Sequence, residues 1–421
     1  MTDLLRRPGA DAAPVVPPAA STATPPVPKA RDPRAPFPMP RQLLPTRRRV
    51  RGYDIPLAAV ALALALIGAL LVWAATREQQ VSAHADPQAF LYRHLINIVI
   101  ASALMITAAR LDARLLRLFG PIVYAASILG LLLVFVAGST INGAHAWIVL
   151  PGGMEVQPSE FCKLGLVVGM AVMFIARRDD DDLVDVELEP TTRDVLRAVG
   201  LLAVPFCLIM LQPDLGSAMV LACAAFGVLV TANVPARWTL GLLVVGVLAA
   251  VVAIKAGVLA DYQLARFTNF THPSSDVQGA GYNYHQAHIA IANGGLFGTG
   301  LFAGPQTKGG FVPEQQTDFV FSVAGEEFGL VGAGLIIVLF AVLCWRGLRI
   351  ARQADAAGRL VAAGVVCWFA FQTFQNIGMN LGLTPITGVP LPFVSYGGSS
   401  MFAQGLALGL LQAVHRRSYV D

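Results

Sequence analysis

Apolar positions along this chain run on for about twenty residues at a time and then break, with no sustained alternation of the kind a half-buried strand shows. A hydrocarbon core of about 30 Å takes roughly 20 helical residues to cross. Runs of that kind lie near 55–75, 92–109, 119–138, 158–176, 194–211, 215–232, 238–256, 320–345, 359–382 and 398–414. The pattern predicts an all-α polytopic membrane protein of ten transmembrane helices, the fifth and sixth separated only by "QPDLG". Its largest interruption, about 257–318, falls between the seventh and eighth helices.

Residues 1–50 are rich in Pro and Ala with no long apolar run, and are expected to form a disordered arm. The membrane domain then spans 51–417 and leaves a short tail, 418–421. Composition agrees: 55% of residues are hydrophobic and 13% charged, against roughly a quarter charged in soluble domains.

Charge orients the bundle. Arg110, Arg114, Arg117, Arg177, Arg178, Arg193, Arg237, Arg346, Arg349, Arg352, Arg359, Arg416 and Arg417 all fall on the side shared with the N-terminus. Cytoplasmic loops retain positive charge, so both termini are expected in the cytoplasm. The outer side has few cations near the membrane, Arg77, Arg93 and Lys255, and receives the large loop. The net charge of +4 reads as topology and contact with anionic lipid, not as a nucleic-acid surface. "RRRVRG" at 47–52 reads as a stop at the inner leaflet, and "RRDDDDLVDVELEP" at 177–190 as a solvated loop. Cys162, Cys207, Cys223, Cys344 and Cys367 lie in apolar spans without ligand spacing and are expected to be core thiols.

The outer interruptions "STINGAHAWIVLPGGMEVQPSEFCK" and "LTPITGVPLPFVSYGGSS" are too apolar for a wet loop and too broken for a helix. They suggest backbone that re-enters at the membrane edge, which survives only where protein or water satisfies it. Four carboxylates gather in "FVPEQQTDFVFSVAGEE", residues 311–327.

Ionisable groups within a bilayer are functional candidates by default. Lys163 lies roughly 8 Å below the outer surface, at 1.5 Å per residue, with Glu160 three residues earlier on the same helical face. The pair either locks two helices or lets Lys163 meet an anion in an outward cavity. Asp214 can cap the sixth helix. Glu326 and Glu327 cannot both face lipid, so one is expected to point into a cavity and the other toward a neighbouring helix. Asp318, placed in the first turn of the eighth span, is either a helix cap or a general base. A half-buried carboxylate in a poorly hydrated cleft has a raised pKa and gains strength as a proton acceptor. Glu314 within one turn argues against simple capping, because two adjacent carboxylates repel.

The motifs "QPSEFCKL", "LQPDLGSAM", "GGLFGTGLFAGPQTKGGFVPEQQTDFVFSVAGEE" and "NIGMNLGLTPITGVPLPFVSYGGSS" occur in the order found in the SEDS family, the shape, elongation, division and sporulation proteins, which the chain resembles from about 52 to 417. "ITGVPLPFVSYGGSS" and "NIGMN" are more similar to the elongation branch, RodA, than to the division branch, FtsW.

The resemblance implies a ten-helix peptidoglycan glycosyltransferase of the bacterial cytoplasmic membrane that polymerises lipid II on the outer face. It implies that Asp318 is the essential catalytic residue and that Trp147 and Lys163 are functional. Many members carry Arg immediately before that Trp, whereas this chain reads His145-Ala146-Trp147, so an Arg contact cannot be carried over. Asp318 would take the acceptor hydroxyl proton in a single inverting displacement. Lys163, paired with Glu160, would compensate the lipid diphosphate, with a divalent cation such as Mg or Mn as a supplement. Trp147 would offer a sugar-stacking face, and "SYGGSS", with Ser395, Gly397 and Gly398, donors and close backbone approach. Glu314 and Glu327 complete the candidate substrate site. The implied partner is a class B penicillin-binding protein. A lipid II flippase and a scaffold that only recruits a synthase are the competing readings; the outward clustering of polar groups disfavours the first, and the second leaves the cost of Lys163 and of the acidic rim without purpose.

Overall fold

The computed structural model describes residues 48–49, 52–141, 144–150, 154–175, 190–255, 270 and 281–420. The arm up to residue 47, the acidic run 177–189 and most of 256–280 lie outside the described residues.

Each predicted apolar run coincides with a helix. These are α1 (Ile55–Ser82), α2 (Ala89–Ala108), α3 (Ala113–Ala137), α4 (Pro158–Ile175), α5 (Thr192–Leu211), α6 (Leu215–Thr231) and α7 (Ala236–Lys255). Two short helices inside the large interruption follow, α8 (Tyr282–Gly294) and α9 (Pro305–Gly309), then α10 (Val320–Gln353), α11 (Ala356–Asn380) and α12 (Gly398–Arg417). Seven of the described helices are long and apolar enough to cross a membrane, α1 to α5, α10 and α11, and α6 and α7 are shorter apolar helices. α12 is more polar because it lies inside the bundle, where Gln404 and Gln412 are buried and hydrogen-bonded. α4 and α11 are also mostly buried, whereas α2, α3 and α5 turn most of their surface outward, as lipid-facing helices do.

Acidic and hydroxyl caps set several helix starts by accepting otherwise orphaned backbone N–H groups. Asp54 caps α1, Thr191 and Asp194 form a reciprocal capping box on α5, Asp214 caps α6 and Asp355 caps α11.

Five short strands join the helices: β1 (Arg48–Arg49), β2 (Ser139–Ile141), β3 (Ala144–Leu150), β4 (Met154–Val156) and β5 (Tyr419–Val420). β2, β3 and β4 form an antiparallel sheet with Ser139 opposite Trp147 and Ile148 opposite Val156. The first broken outer segment is therefore a small sheet, which satisfies its backbone by cross-strand pairing. β1 pairs antiparallel with β5, tying Arg48 and Arg49 of the "RRRVRG" stretch to the C-terminal tail.

The second broken outer segment, 383–397, is satisfied by side chains of α11. Gln372 donates to the carbonyl of Pro390 at 2.8 Å, Gln375 to that of Pro385 at 3.0 Å and Asn376 to that of Val389 at 2.8 Å. Residues at this three-and-four spacing share one helix face, so α11 presents a row of buried amides to an irregular chain.

α10 is interrupted at Gly329, whose φ of 64° and ψ of −164° suit glycine alone. The break frees backbone groups that the 294–302 segment takes up. Thr299 and Gly300 donate to the carbonyls of Glu326 and Glu327 at 2.9 and 3.1 Å, while Leu330 and Val331 donate to Gly295 and Leu296 at 2.9 and 3.1 Å.

Candidate active site

A cavity of about 640 Å³ opens where the starts of α2, α4, α6 and α12 meet the turn that precedes α10, with β3 and β4 contributing Trp147, Glu155 and Val156. This is within the ~300–1,000 Å³ typical of ligand sites. Among the described residues its wall carries the carboxylates Glu155, Glu160, Asp214, Glu314 and Asp318 and one cation, Arg93.

Asp318 sits two residues before α10, whose cap is Phe319, so it is not the helix cap. Its placement comes from the backbone on both sides. The carbonyl of Glu314, at a left-handed φ of 51°, accepts from the N–H groups of Thr317, Asp318 and Phe319 at 3.1, 3.0 and 3.2 Å. The carbonyl of Asp318 itself accepts from Asn376 at 2.8 Å and from Asn380 at 3.2 Å. The backbone of the half-buried Asp318 is thereby held at the wall of the cavity. Glu314 is oriented by the hydroxyl of Thr317, which donates to its Oε2 at 3.0 Å.

Around this turn the wall is cross-tied. Gln157 donates to Asp214 Oδ2 at 2.8 Å, while Asp214 Oδ1 accepts from Ser217 N at 2.9 Å, so the expected cap also bridges to the start of α4. Ser399 Oγ donates to Glu155 O at 2.9 Å and accepts from Gln157 N at 3.1 Å, joining β4 to the start of α12. Gly397 precedes α12 without a capping side chain and leaves that stretch of wall bare.

Of the residues singled out in the sequence, Trp147, Glu160, Glu314, Asp318 and Gly397 line the cavity. Lys163, Glu327 and Ser395 do not. Lys163 is almost fully buried, with Nζ 2.6 Å from Glu160 Oε1, 3.5 Å from Gln372 Oε1 and 5.3 Å from the centre of the Trp368 ring. One helical turn beyond Glu160, it is screened from the cavity by its own partner, whose Oε2 is buried without a hydrogen bond. Ser395 is structural, accepting from Leu391 N at 2.8 Å and donating to Thr317 O. Glu326 accepts from Gln306 N at 2.9 Å and from the N–H and hydroxyl of Thr307 at 2.8 and 2.6 Å, so it anchors α9. Glu327 is buried, its carboxylate near the backbone of Phe302. Neither glutamate opens into the cavity, contrary to the expectation that one would, because the break at Gly329 folds the 294–309 segment over that face of α10.

Arg93 was noted in the sequence only for its place on the outer side. A cation running against the charge bias was the signal, and the structure puts it in the wall beside Phe90, Asn97 and Tyr396, with its guanidinium 5.8 Å from the centre of the Phe90 ring.

The chain matches the profile of the FtsW/RodA/SpoVE family, described as cell cycle proteins, over residues 55–420. It is 34% identical over 373 residues to a protein of Geobacter metallireducens named probable peptidoglycan glycosyltransferase FtsW, covering 88% of this chain and 96% of that one. It is equally 34% identical over 363 residues to the peptidoglycan glycosyltransferase MrdB of Escherichia coli K12, covering 86% and 93%. Among solved structures it is similar to a chain from a study titled "Structural coordination of polymerization and crosslinking by a peptidoglycan synthase complex", with a TM-score of 0.71, 32% identity and coverage of 88% and 99%. It is also similar to the rod shape determining protein RodA of Thermus thermophilus, with a TM-score of 0.63, 30% identity and the same coverage. Relatives named FtsW, MrdB and RodA stand at like identity, and a match over residues 55–420 settles the coarser question: the chain belongs to the FtsW/RodA/SpoVE, or SEDS, family.

Proposed function

We propose that this protein is a peptidoglycan glycosyltransferase that polymerises lipid II at the outer face of the bacterial cytoplasmic membrane, with Asp318 as general base. The observation that carries the reading is that one cavity is lined by both Asp318, on a turn whose backbone is clamped, and a cation, Arg93. Chain growth needs both. The 4-hydroxyl of the acceptor sugar gives its proton to Asp318 as its oxygen bonds to the anomeric carbon of the donor. The bond from that carbon to the lipid diphosphate breaks with its electron pair, and a one-step displacement converts an α-linked donor to a β-linkage.

The diphosphate is already a good leaving group, so the protein needs charge compensation and not an acid. Arg93 supplies it with the forked donors that suit phosphate oxygens, and the uncapped start of α12 faces the same space. Trp147 gives a sugar an apolar face, and Glu314 adds acceptors for acceptor-sugar hydroxyls. Lys163 acts through Glu160, which it holds at the wall. Among the described residues no three His, Cys, Asp or Glu side chains are grouped to hold the divalent cation expected from the sequence. No step here is routed through one.

The elongation branch is read from "NIGMN" and "ITGVPLPFVSYGGSS" alone. Both termini are taken as cytoplasmic from the arginine bias, and the partner as a class B penicillin-binding protein, in keeping with the synthase complex of the similar solved chain. The deciding experiment supplies labelled lipid II to the purified protein. Glycan strands are expected. Movement of lipid II between leaflets without strand formation would make the protein a flippase instead.

A further inference from the structure

The far end of the bundle carries a second organised cluster of charge. α12 begins at the cavity and runs to Arg417, which puts its last turn roughly 27 Å away at 1.5 Å per residue. There the start of α1 meets the second half of α10. The buried Asp54 accepts from Leu57 N at 2.9 Å and from Arg346 Nε at 3.2 Å, with a further contact to Arg346 Nη2. Gln412 of α12 closes both backbone groups of Asp54, accepting from its N–H at 2.7 Å and donating to its carbonyl at 2.8 Å. This knot neutralises Arg346 and fixes α1, α10 and α12 at one level.

Two exposed arginines flank the knot without taking part in it. Arg349 lies 6.0 Å from the centre of the Trp345 ring, which Arg346 shares at 5.7 Å. Arg416 lies 5.2 Å from the centre of the Tyr53 ring and donates one N–H to Ala109 O at 3.0 Å. Both rings are half exposed, Tyr53 at 47% and Trp345 at 57%. Exposed Trp and Tyr rings are enriched at the headgroup level of a bilayer. A guanidinium placed over a ring retains further N–H donors that can fork onto a phosphate. Beside the arginines, Ile55 at 74% and Leu348 at 49% exposure offer apolar surface that a soluble anion could not use.

We propose that this cluster is a binding site for an anionic phospholipid, its headgroup phosphate held by Arg349 and Arg416 and its acyl chains lying along Ile55 and Leu348. The lipid would brace the three helices that the Asp54 knot already joins. This assignment is independent of the chemistry proposed for the cavity.

The full-length protein is reconstituted in nanodiscs of phosphatidylcholine with and without phosphatidylglycerol, and retained lipid is measured by native mass spectrometry. Wild type is expected to retain phosphatidylglycerol in preference to phosphatidylcholine. The double variant Arg349→Gln with Arg416→Gln is expected to bind phosphatidylglycerol roughly thirty-fold more weakly, about 1 kcal/mol for each arginine. Arg197→Gln, at an exposed arginine of α5, is expected to change nothing. Equal retention of the two lipids by wild type overturns the proposal, and so does full affinity in a folded double variant. Displacement of the lipid by inorganic phosphate alone would assign the site to a free anion. If the double variant does not fold, the wild-type comparison still decides.

Discussion

The side-chain amide of Asn376 donates to the backbone carbonyl of Asp318 at 2.8 Å. The same nitrogen reaches the carbonyl of Val389, also at 2.8 Å, so one fully buried side chain fixes both the turn before α10 and the irregular 383–397 segment. Asn376→Ala leaves the Val389 carbonyl without this donor and should destabilise the protein by about 1–3 kcal/mol. It should also lower kcat for polymerisation more than it raises KM, because it loosens the turn that carries Asp318. Thermal unfolding in detergent and steady-state polymerisation check the two effects. A variant that loses stability and keeps its kcat would leave Asn376 as packing only.

Asp318→Asn keeps the size and the backbone clamp of this position but removes the proton acceptor. Loss of a general base costs about 10²- to 10⁴-fold, so strand formation from lipid II should fall by at least that lower figure. The melting temperature should stay unchanged. Polymer yield near wild type in this variant would remove Asp318 from the mechanism.

Arg93→Gln should weaken use of lipid II. Hydrogen bonds to charged groups contribute about 1.5–3 kcal/mol, so kcat/KM should fall by roughly ten- to a hundred-fold. Arg93→Lys, a point charge without the fork, should recover part of this. Kinetics unaltered by Arg93→Gln would shift the diphosphate away from that part of the wall.

Lys163 and Glu160 form an almost fully buried ion pair at 2.6 Å. Removing one partner strands a charge and should cost about 3–5 kcal/mol, whereas Lys163→Met with Glu160→Gln should restore most of that stability. Differential scanning fluorimetry of the two single variants and the double reads the coupling. Additive losses would show that the two side chains do not depend on each other.

His288 on α8 stacks on Tyr284 at 4.3 Å, and burial lowers its pKa below the ordinary value of 6.5. In the window between that value and the lower folded one, the unfolded chain binds more protons, so stability falls as pH drops through it and is level above it. Melting temperatures across about pH 5 to 8 should show this slope. His288→Phe, which stays neutral, should flatten it.

Much of the framework was legible from local pattern. Hydropathy located every run that became α1 to α7 and α10 to α12, because the cost of exposing polar backbone to lipid writes each span as one unbroken stretch. Asp214 as a cap and the Lys163–Glu160 pair were legible too, since each depends on residues within one helical turn. The broken character of 139–157 and 383–397 was visible, but not that the first would become a sheet and the second would be held by the amides of α11.

Which side chains reach the cavity was decided by tertiary structure alone. Helical spacing puts Lys163 beside Glu160 but cannot say which of them faces the opening; packing against Trp368 and Gln372 turned the lysine inward. The acids of 311–327 look alike in the sequence, yet Asp318 lines the cavity while Glu326 anchors a helix 19 residues away and Glu327 is buried beneath the 294–309 segment. Arg93 joined them from another helix altogether. Periodicity along a chain reports the face a residue occupies, whereas a site is made from residues far apart in sequence, whose meeting depends on how whole helices and the segments between them pack.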